Sequence, residues 1–378
     1  MSHATPPANR QYIIVGGGTT GLLLANRLSA SPLHTVTVIE PGPDDRDNPA
    51  VTNPFRLGEA LNSKIDWAYN TTPQDEVGGR TLQYHAGKLV GGTSMINGLN
   101  YIRADASQID AWEALGATGW NWRSMQPYYK RSEHFVRPSA AQQTRGATYD
   151  ERFHGETGEV EVGWFETLGD EEFYGIMKDT WASINVRSRI DANGGTLGGF
   201  TVRPWTVDVK RGTRESAATA FYYPVAGRPN LRVLQGTVTK LLWEPSTEDG
   251  KHIAVGVEYL DDNSKTELLH LGGPGEVILS AGSLRSPSIL EASGIGNPRI
   301  LSKLGIETRV DLPGVGENLQ DQANLLMTLK TKANVSGYTP YAAWVSARDL
   351  FGNSVEEVSE LVQLAPPNQT NDVPANAS

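Results

Sequence analysis

Three glycines, Gly16, Gly18 and Gly21, stand between an apolar run, YIIV at 12–15, and a helix-forming stretch, LLLANRLSA. In a G-x-G-x-x-G at the turn from strand to helix, the first glycine permits the tight turn, the second lets a pyrophosphate approach the backbone, and the third lets helix and strand pack closely. The helix start then offers unpaired N–H groups to phosphate. A second apolar strand pattern, TVTVIE, ends on Glu40, where a carboxylate accepts hydrogen bonds from ribose hydroxyls and disfavours a 2′-phosphate. Strand, loop, helix, strand and terminal carboxylate together specify adenine dinucleotide binding rather than a bare structural turn. They do not choose between NAD and FAD.

Two further runs carry glycines at characteristic positions. The first is Gly87-Lys88-Leu89-Val90-Gly91-Gly92-Thr93-Ser94-Met95-Ile96-Asn97, followed by Tyr101, Ala104 and Asp110. The second runs from Gly282 through Ser286, Pro287 and Gly294 to Gly296, directly after the strand pattern EVILSAG. Ser286 as N-cap and Pro287 as first helical residue predict a helix opening there. A third run, Asp311 to Gln322, reads DLPGVGENLQDQ.

The first of these runs resembles the first signature of the glucose-methanol-choline (GMC) oxidoreductase family, the second resembles its second signature, and the third is similar to a further run of that family. Gln322 and AAWVSARDLFGN at 342–353 look most like its glucose oxidase branch. The resemblance covers about 12–360. It implies FAD as cofactor, with Thr19 and Thr20 at the pyrophosphate, Glu40 at the adenosine ribose, and Thr93, Asn97 and Gly98 along the diphosphate and flavin. Val238, in GTVTKLL, would meet adenine through its backbone. Gly91 and Gly92 would let the chain pass a flat ring, Thr93 and Ser94 would donate to phosphate, and Asn97 would donate to the flavin's polar edge.

The activity implied is oxidation of a CH–OH group of an alcohol or sugar by hydride transfer to flavin. In the family a histidine paired with a second histidine or an asparagine acts on the substrate hydroxyl, from a C-terminal region that this sequence does not contain. No catalytic residue is therefore assigned, and the alternative expectation is a truncated, catalytically incompetent FAD-binding or partner-binding protein. Of the seven histidines, His85 lies six residues before Gly91, where the flavin ring should pass. An ordinary polar contact is expected of it rather than covalent attachment to flavin. Its sequence neighbours Tyr84, Ala86 and Gly87 bring no carboxylate to orient the ring. The remaining histidines are expected at the surface or in hydrogen bonds, and none shows H-x-x-x-H metal spacing.

The elements that must position these residues follow from length and pattern. A chain of 378 residues suggests about two domains at ~100 to 200 residues each. The fold class expected is α/β: a Rossmann-like FAD-binding domain with a β-rich substrate-side portion. The FAD-binding domain is expected at 11–135 and 228–324, and the substrate-side portion at 136–227 and 325–364. A disordered tail is expected at 365–378, where the composition turns to proline and polar residues. The segment 41–86 looks loop-rich. Helical spacing at 105–135 places Ile109, Trp112 and Leu115 on one face and Met125, Tyr128 and Tyr129 on another. A helix is expected at 170–184, and a meander of short strands at 231–282 that returns to the first sheet.

With 43 acidic and 33 basic side chains the net charge is −10, a field that repels nucleic acid. Without cysteine there is no disulfide, zinc-thiolate site or thiol nucleophile. The polar opening MSHATPPANR lacks an apolar signal core, and no apolar run approaches the ~18 residues of a membrane span. A cytoplasmic location is the default expectation, with no membrane or nucleic-acid partner and an alcohol or sugar as the small-molecule partner.

Overall fold

The computed structural model describes residues 9–166, 168–169, 171–244, 251–321 and 341–345. The described residues fall into two compact units, one within Met1–Asn100, Gly158–Val162 and Thr206–Lys330, the other within Tyr101–Thr157, Gly163–Trp205 and Thr331–Ser378.

In the first unit four strands make a parallel sheet in the order Leu231–Gln235, His34–Glu40, Arg10–Val15, Gly275–Leu279. The two central strands are covered on both faces, as parallel strands must be, and bury YIIV of the first and VTVIE of the second. Alternation splits their side chains between two layers. Ile14, Val36 and Val38 face Ala25 of the helix Thr19–Leu28, whereas Ile13, Val15 and Ile39 face Val238, Leu241, Val257 and Ile289. Each such aliphatic side chain contributes about 1.5 to 3 kcal/mol on burial. The second layer is the expected meander, Thr237–Trp243, Ala254–Leu260 and Thr266–His270, paired antiparallel. Its first run belongs elsewhere: LRVLQ joins the parallel sheet, with Val233 opposite Val38. Helix, parallel sheet and meander form the Rossmann-like α/β architecture expected from the sequence.

The last crossover corrects one expectation. The helix after Gly275–Leu279 spans Gly282–Ala292 with Ala281 at its N-cap, so Ser286 caps nothing and Pro287 lies inside the helix. Gly282, at φ +82°, turns the chain from strand into helix without a side-chain cap. Between the second strand and the 87–97 run the chain is mostly turns, with a short helix Pro49–Thr52 and a two-residue hairpin, Tyr69–Asn70 against Gln83–Tyr84.

The second unit holds the helices Ala106–Ala114, Trp122–Ser132 and Glu171–Ser183. The first two open with capping boxes, Asp105 with Gln108 and Asn121 with Ser124. The expected apolar face is only partly a core face: Ile109 is buried, but Trp112 is 45% and Leu115 86% exposed. The interior here is partly ionic. Arg103 Nη2 donates to Glu133 Oε2 at 2.9 Å, and the His154 ring lies between Glu133 Oε1 at 2.8 Å and Asp191 Oδ2 at 2.7 Å. Both ring nitrogens face carboxylate acceptors, so both carry protons, and two cations balance two anions in a buried cluster. What the sequence suggests for 365–378, Gln322 and 346–353 concerns residues outside those described.

Candidate functional site

The carboxyl ends of the parallel strands open into a cleft of about 530 Å³. Its floor is the turn Val15–Thr20, its sides are Glu40, Val238 and the start of the helix Gly282–Ala292, and Trp67, Tyr69, Tyr84, Gly92 and Thr93 complete the lining. Ligands bind in open α/β sheets at such a position.

The glycines of the first motif divide into structural and open ones. A Cβ on Gly16, at φ +102°, would come within 2.5 Å of Ser280 O, and one on Gly21 would fall inside the radius of Gly16 O. Both positions require glycine to close strand against helix. Gly18 differs: its φ of −84° suits any residue, and a Cβ there would meet nothing nearer than Gly92 Cα at 3.8 Å. The space beside Gly18 belongs to the cleft. Among the described residues no side chain caps the helix Thr19–Leu28, and its first intrahelical bond runs from Leu22 N to Gly18 O. The N–H groups of the first turn are thus left for a ligand, with the positive end of the helix dipole behind them.

Glu40 is 5% exposed at the carboxyl end of a central strand. Its Oε2 accepts from Gly17 N at 2.9 Å and its Oε1 from Gly42 N at 3.0 Å, so it organises two loops while each oxygen keeps a lone pair. Burial pushes its carboxyl up to about 7, against the pull of those two N–H groups and of Lys88. The opposite part of the lining is aromatic. Trp67 stacks on Tyr69 with centroids 5.6 Å apart, Lys88 Nζ lies 4.7 Å and the Arg285 guanidinium 5.2 Å from the Trp67 ring, and Tyr84 Oη meets Ser283 Oγ at 3.4 Å. Tyr69 Oη is buried without a hydrogen-bond partner among the described residues.

Of the residues singled out from sequence, Gly16, Gly18, Thr19, Thr20, Glu40, Gly92, Thr93 and Val238 line this one cleft. Gly21, Asn97 and Gly98 do not. Gly21 is taken up in helix packing, while Asn97 and Gly98 are exposed at the end of the Gly92–Met95 turn. Thr93 Oγ1 accepts from Gly87 N at 3.1 Å, leaving its proton to donate. Sequence reasoning missed Trp67, Tyr69, Ser283 and Arg285, whose lining role depends on chain separations of some 200 residues that local spacing does not register.

The expectation that nothing orients His85 is overturned. Its Nδ1 lies 2.6 Å from Asp66 Oδ2, a buried carboxylate that also accepts from the backbone N–H of Asn62, Ala68 and Ala86. Burial opposes that charge, but these bonds outweigh it and hold Asp66 below the usual carboxylate range. The partner is 19 residues away in sequence, brought close by the fold. His85 itself is not part of the cleft lining. His154 is hydrogen-bonded as expected, and among the described residues no cluster of side chains able to hold a metal ion occurs.

Comparison with known proteins agrees with this geometry. Residues 10–324 match the GMC oxidoreductase family model. A glucose oxidase-like protein of Humicola fuscoatra is 45% identical over 348 residues, which is 92% of this chain and 59% of that protein. A glucose oxidase of Aspergillus carbonarius is 35% identical over 356 residues, 93% of this chain and 58% of that protein. Among solved structures, an FAD-dependent oxidoreductase from Chaetomium thermophilum superposes with a TM-score of 0.76 at 34% identity, over 83% of this chain and 52% of that one. The chain thus spans somewhat more than half the length of these relatives. No helix among the described residues is long and apolar enough to cross a membrane.

Proposed function

The chain belongs to the GMC oxidoreductase family of FAD-dependent proteins, and from that premise we propose that it holds FAD in the cleft of the first unit and serves oxidation of a CH–OH group of an alcohol or sugar. The observation that carries the reading is the open cradle at Gly18, facing a helix N-terminus with no side-chain cap among the described residues, in a cleft lined also by the Glu40 carboxylate and by Tyr69, whose hydroxyl has no partner among those residues. That donor set fits a dinucleotide. The N–H groups of Thr19 and Thr20 and the hydroxyl of Thr93 would hold the diphosphate, with Gly16, Gly18, Gly21 and Gly92 shaping the backbone around it. The spare lone pairs of Glu40 would accept from the adenosine ribose, and Val238 would flank the adenine. Asn97 and Gly98, beyond the cleft lining, would serve the flavin end.

When bound, FAD supplies the acceptor for a hydride leaving a carbinol carbon. Departure of hydride leaves a cationic carbonyl unless the hydroxyl proton leaves as well, and a positioned base contributes ~10² to 10⁴ to the rate of that step. No histidine lines the cleft among the described residues. This observation favours a second reading, in which the chain binds FAD without turnover. Anaerobic mixing of the FAD-loaded chain with glucose or a benzylic alcohol separates the two. Rapid loss of flavin absorbance supports the oxidoreductase reading, and its disappearance in His85→Ala would name His85 as the base. An unchanged spectrum beside stable FAD binding supports the second reading. Failure to bind FAD at all contradicts both.

A further inference from the structure

Behind the Gly92–Met95 turn lies a buried cation with no anion to match it among the described residues. Arg214 is 4% exposed, in a short strand in which it opposes Val207. Its Nε donates to Val51 O at 2.8 Å, and its Nη1 donates to Asn97 Oδ1 at 2.8 Å and to Ser94 O at 3.3 Å. Every acceptor is neutral. Arg103, the other buried arginine among the described residues, has Glu133 at 2.9 Å. Removing a guanidinium from water without a carboxylate is costly even after relaxation. Desolvation accordingly pulls the guanidinium down to about 10.

The acceptors show what the charge acts upon. Asn97 Oδ1 also receives Leu99 N at 3.1 Å, so both lone pairs of that oxygen are occupied and the carboxamide is held in one orientation. Its Nδ2 has no hydrogen-bond partner among the described residues and belongs to an exposed side chain. The same segment grips the turn a second time: Ala217 N donates to Ser94 Oγ at 3.0 Å, and Ser94 Oγ donates to Gly91 O at 2.6 Å. Gly92 and Thr93, on the other side of the turn, line the cleft.

We infer that Arg214 is a positioning residue for the cofactor, holding the Asn97 carboxamide with its N–H groups outward and placing an uncompensated positive charge behind the turn that meets the dinucleotide. The inference rests on the proposed FAD reading and adds a residue that touches neither cofactor nor substrate. A guanidinium with only neutral partners is a fixed cation, and an anionic ligand across the turn gives it the missing counter-charge. Arg214 thereby links cofactor affinity to the direction in which Asn97 donates.

The test is a titration of the 378-residue chain with FAD, read by quenching of flavin fluorescence and by the position of the visible absorption bands. Arg214→Met is expected to weaken FAD at least about tenfold and to shift the bands. Arg214→Lys, which keeps the charge but lacks the forked donors, should fall between Met and the parent. In an Asn97→Ala background, Arg214→Lys should change affinity by less than about twofold, because the group it orients is gone. Should Arg214→Met fail to fold, as judged by its melting profile, the Lys variant and the Asn97 cycle give the answer. Affinity within twofold of the parent in Arg214→Lys, or equal losses with and without Asn97, would overturn the inference while leaving FAD binding intact. A parent chain that binds no FAD is a different result and removes the underlying reading itself.

Discussion

Placing one methyl group at two glycines of a single motif should give opposite outcomes. At Gly18 the backbone is extended, and a Cβ would meet nothing nearer than 3.8 Å. Replacing glycine at a compatible φ gains about 0.4 to 1 kcal/mol through the unfolded state, and an N-cap alanine loses a similar amount relative to glycine. Gly18→Ala should therefore melt close to the parent. Its methyl, and more so the branched side chain of Gly18→Val, occupies the space where a diphosphate would reach the N–H groups of the first turn. Losing two charge-assisted hydrogen bonds at ~1.5 to 3 kcal/mol each weakens FAD by at least about a hundredfold. At Gly21 the added Cβ falls inside Gly16 O, so Gly21→Ala should destabilise the unit by about 1 to 3 kcal/mol or more whether or not FAD is present. Copurifying flavin absorbance and urea midpoints of the three variants give both readouts. If Gly18→Val retained flavin at parental occupancy, the diphosphate would not lie at this turn, and the reasoning from the open cradle would be refuted.

Glu40 has a double role, so Glu40→Ala should lose both affinity and stability: about ten- to hundredfold in FAD binding, and a lower melting temperature from the orphaned N–H groups of Gly17 and Gly42. Calorimetric titration and thermal melts of the same sample measure the two losses separately. Because its carboxyl is raised to about 7 in the folded chain, the stability it contributes is complete below the ordinary carboxylate range and declines as pH rises through about 7. FAD affinity should rise over that same interval as the acceptor ionises, and both dependences should vanish in Glu40→Ala. Burial opposes the charge on His154, but the bonds and charges of Asp191 and Glu133 outweigh it and raise its pKa. Its contribution is thus fully present below the ordinary histidine range and lost as pH rises through the folded value. Denaturation midpoints measured against pH should show that decline in the parent and a flatter profile in His154→Gln, and identical profiles would argue against an imidazolium in this cluster.

The parts of this molecule legible in sequence are those set by local spacing. Gly16, Gly18 and Gly21, the apolar strands and Glu40 lie between residues 10 and 40, and each acts through its immediate neighbours or one adjacent strand. Where function depends on distant chain segments, the sequence offers no periodic signal. Asp66 reaches His85 through a turn-rich stretch, Arg285 reaches Trp67 across more than 200 residues, and Arg214 bonds groups 117 to 163 positions away. The expected start at Ser286 and Pro287 is overridden for another reason: Gly282 at positive φ already begins the helix, and the lost N–H of Pro287 is tolerated within it. Trp112 and Leu115 have correct helical spacing with Ile109, yet spacing states only which residues share a face and not whether that face is covered.

The most direct measurement is a calorimetric titration of the chain with FAD, set beside one with FMN under identical conditions. A cleft whose contacts are the uncapped helix turn, Glu40 and the Val238 edge engages the diphosphate and adenosine, groups that FMN lacks in whole or in part. The expected result is saturable one-to-one binding of FAD, competed by ADP, with FMN bound far more weakly. Equal affinity for FMN and FAD, or FAD binding that ADP does not displace, would contradict the assignment of this cleft as the dinucleotide site.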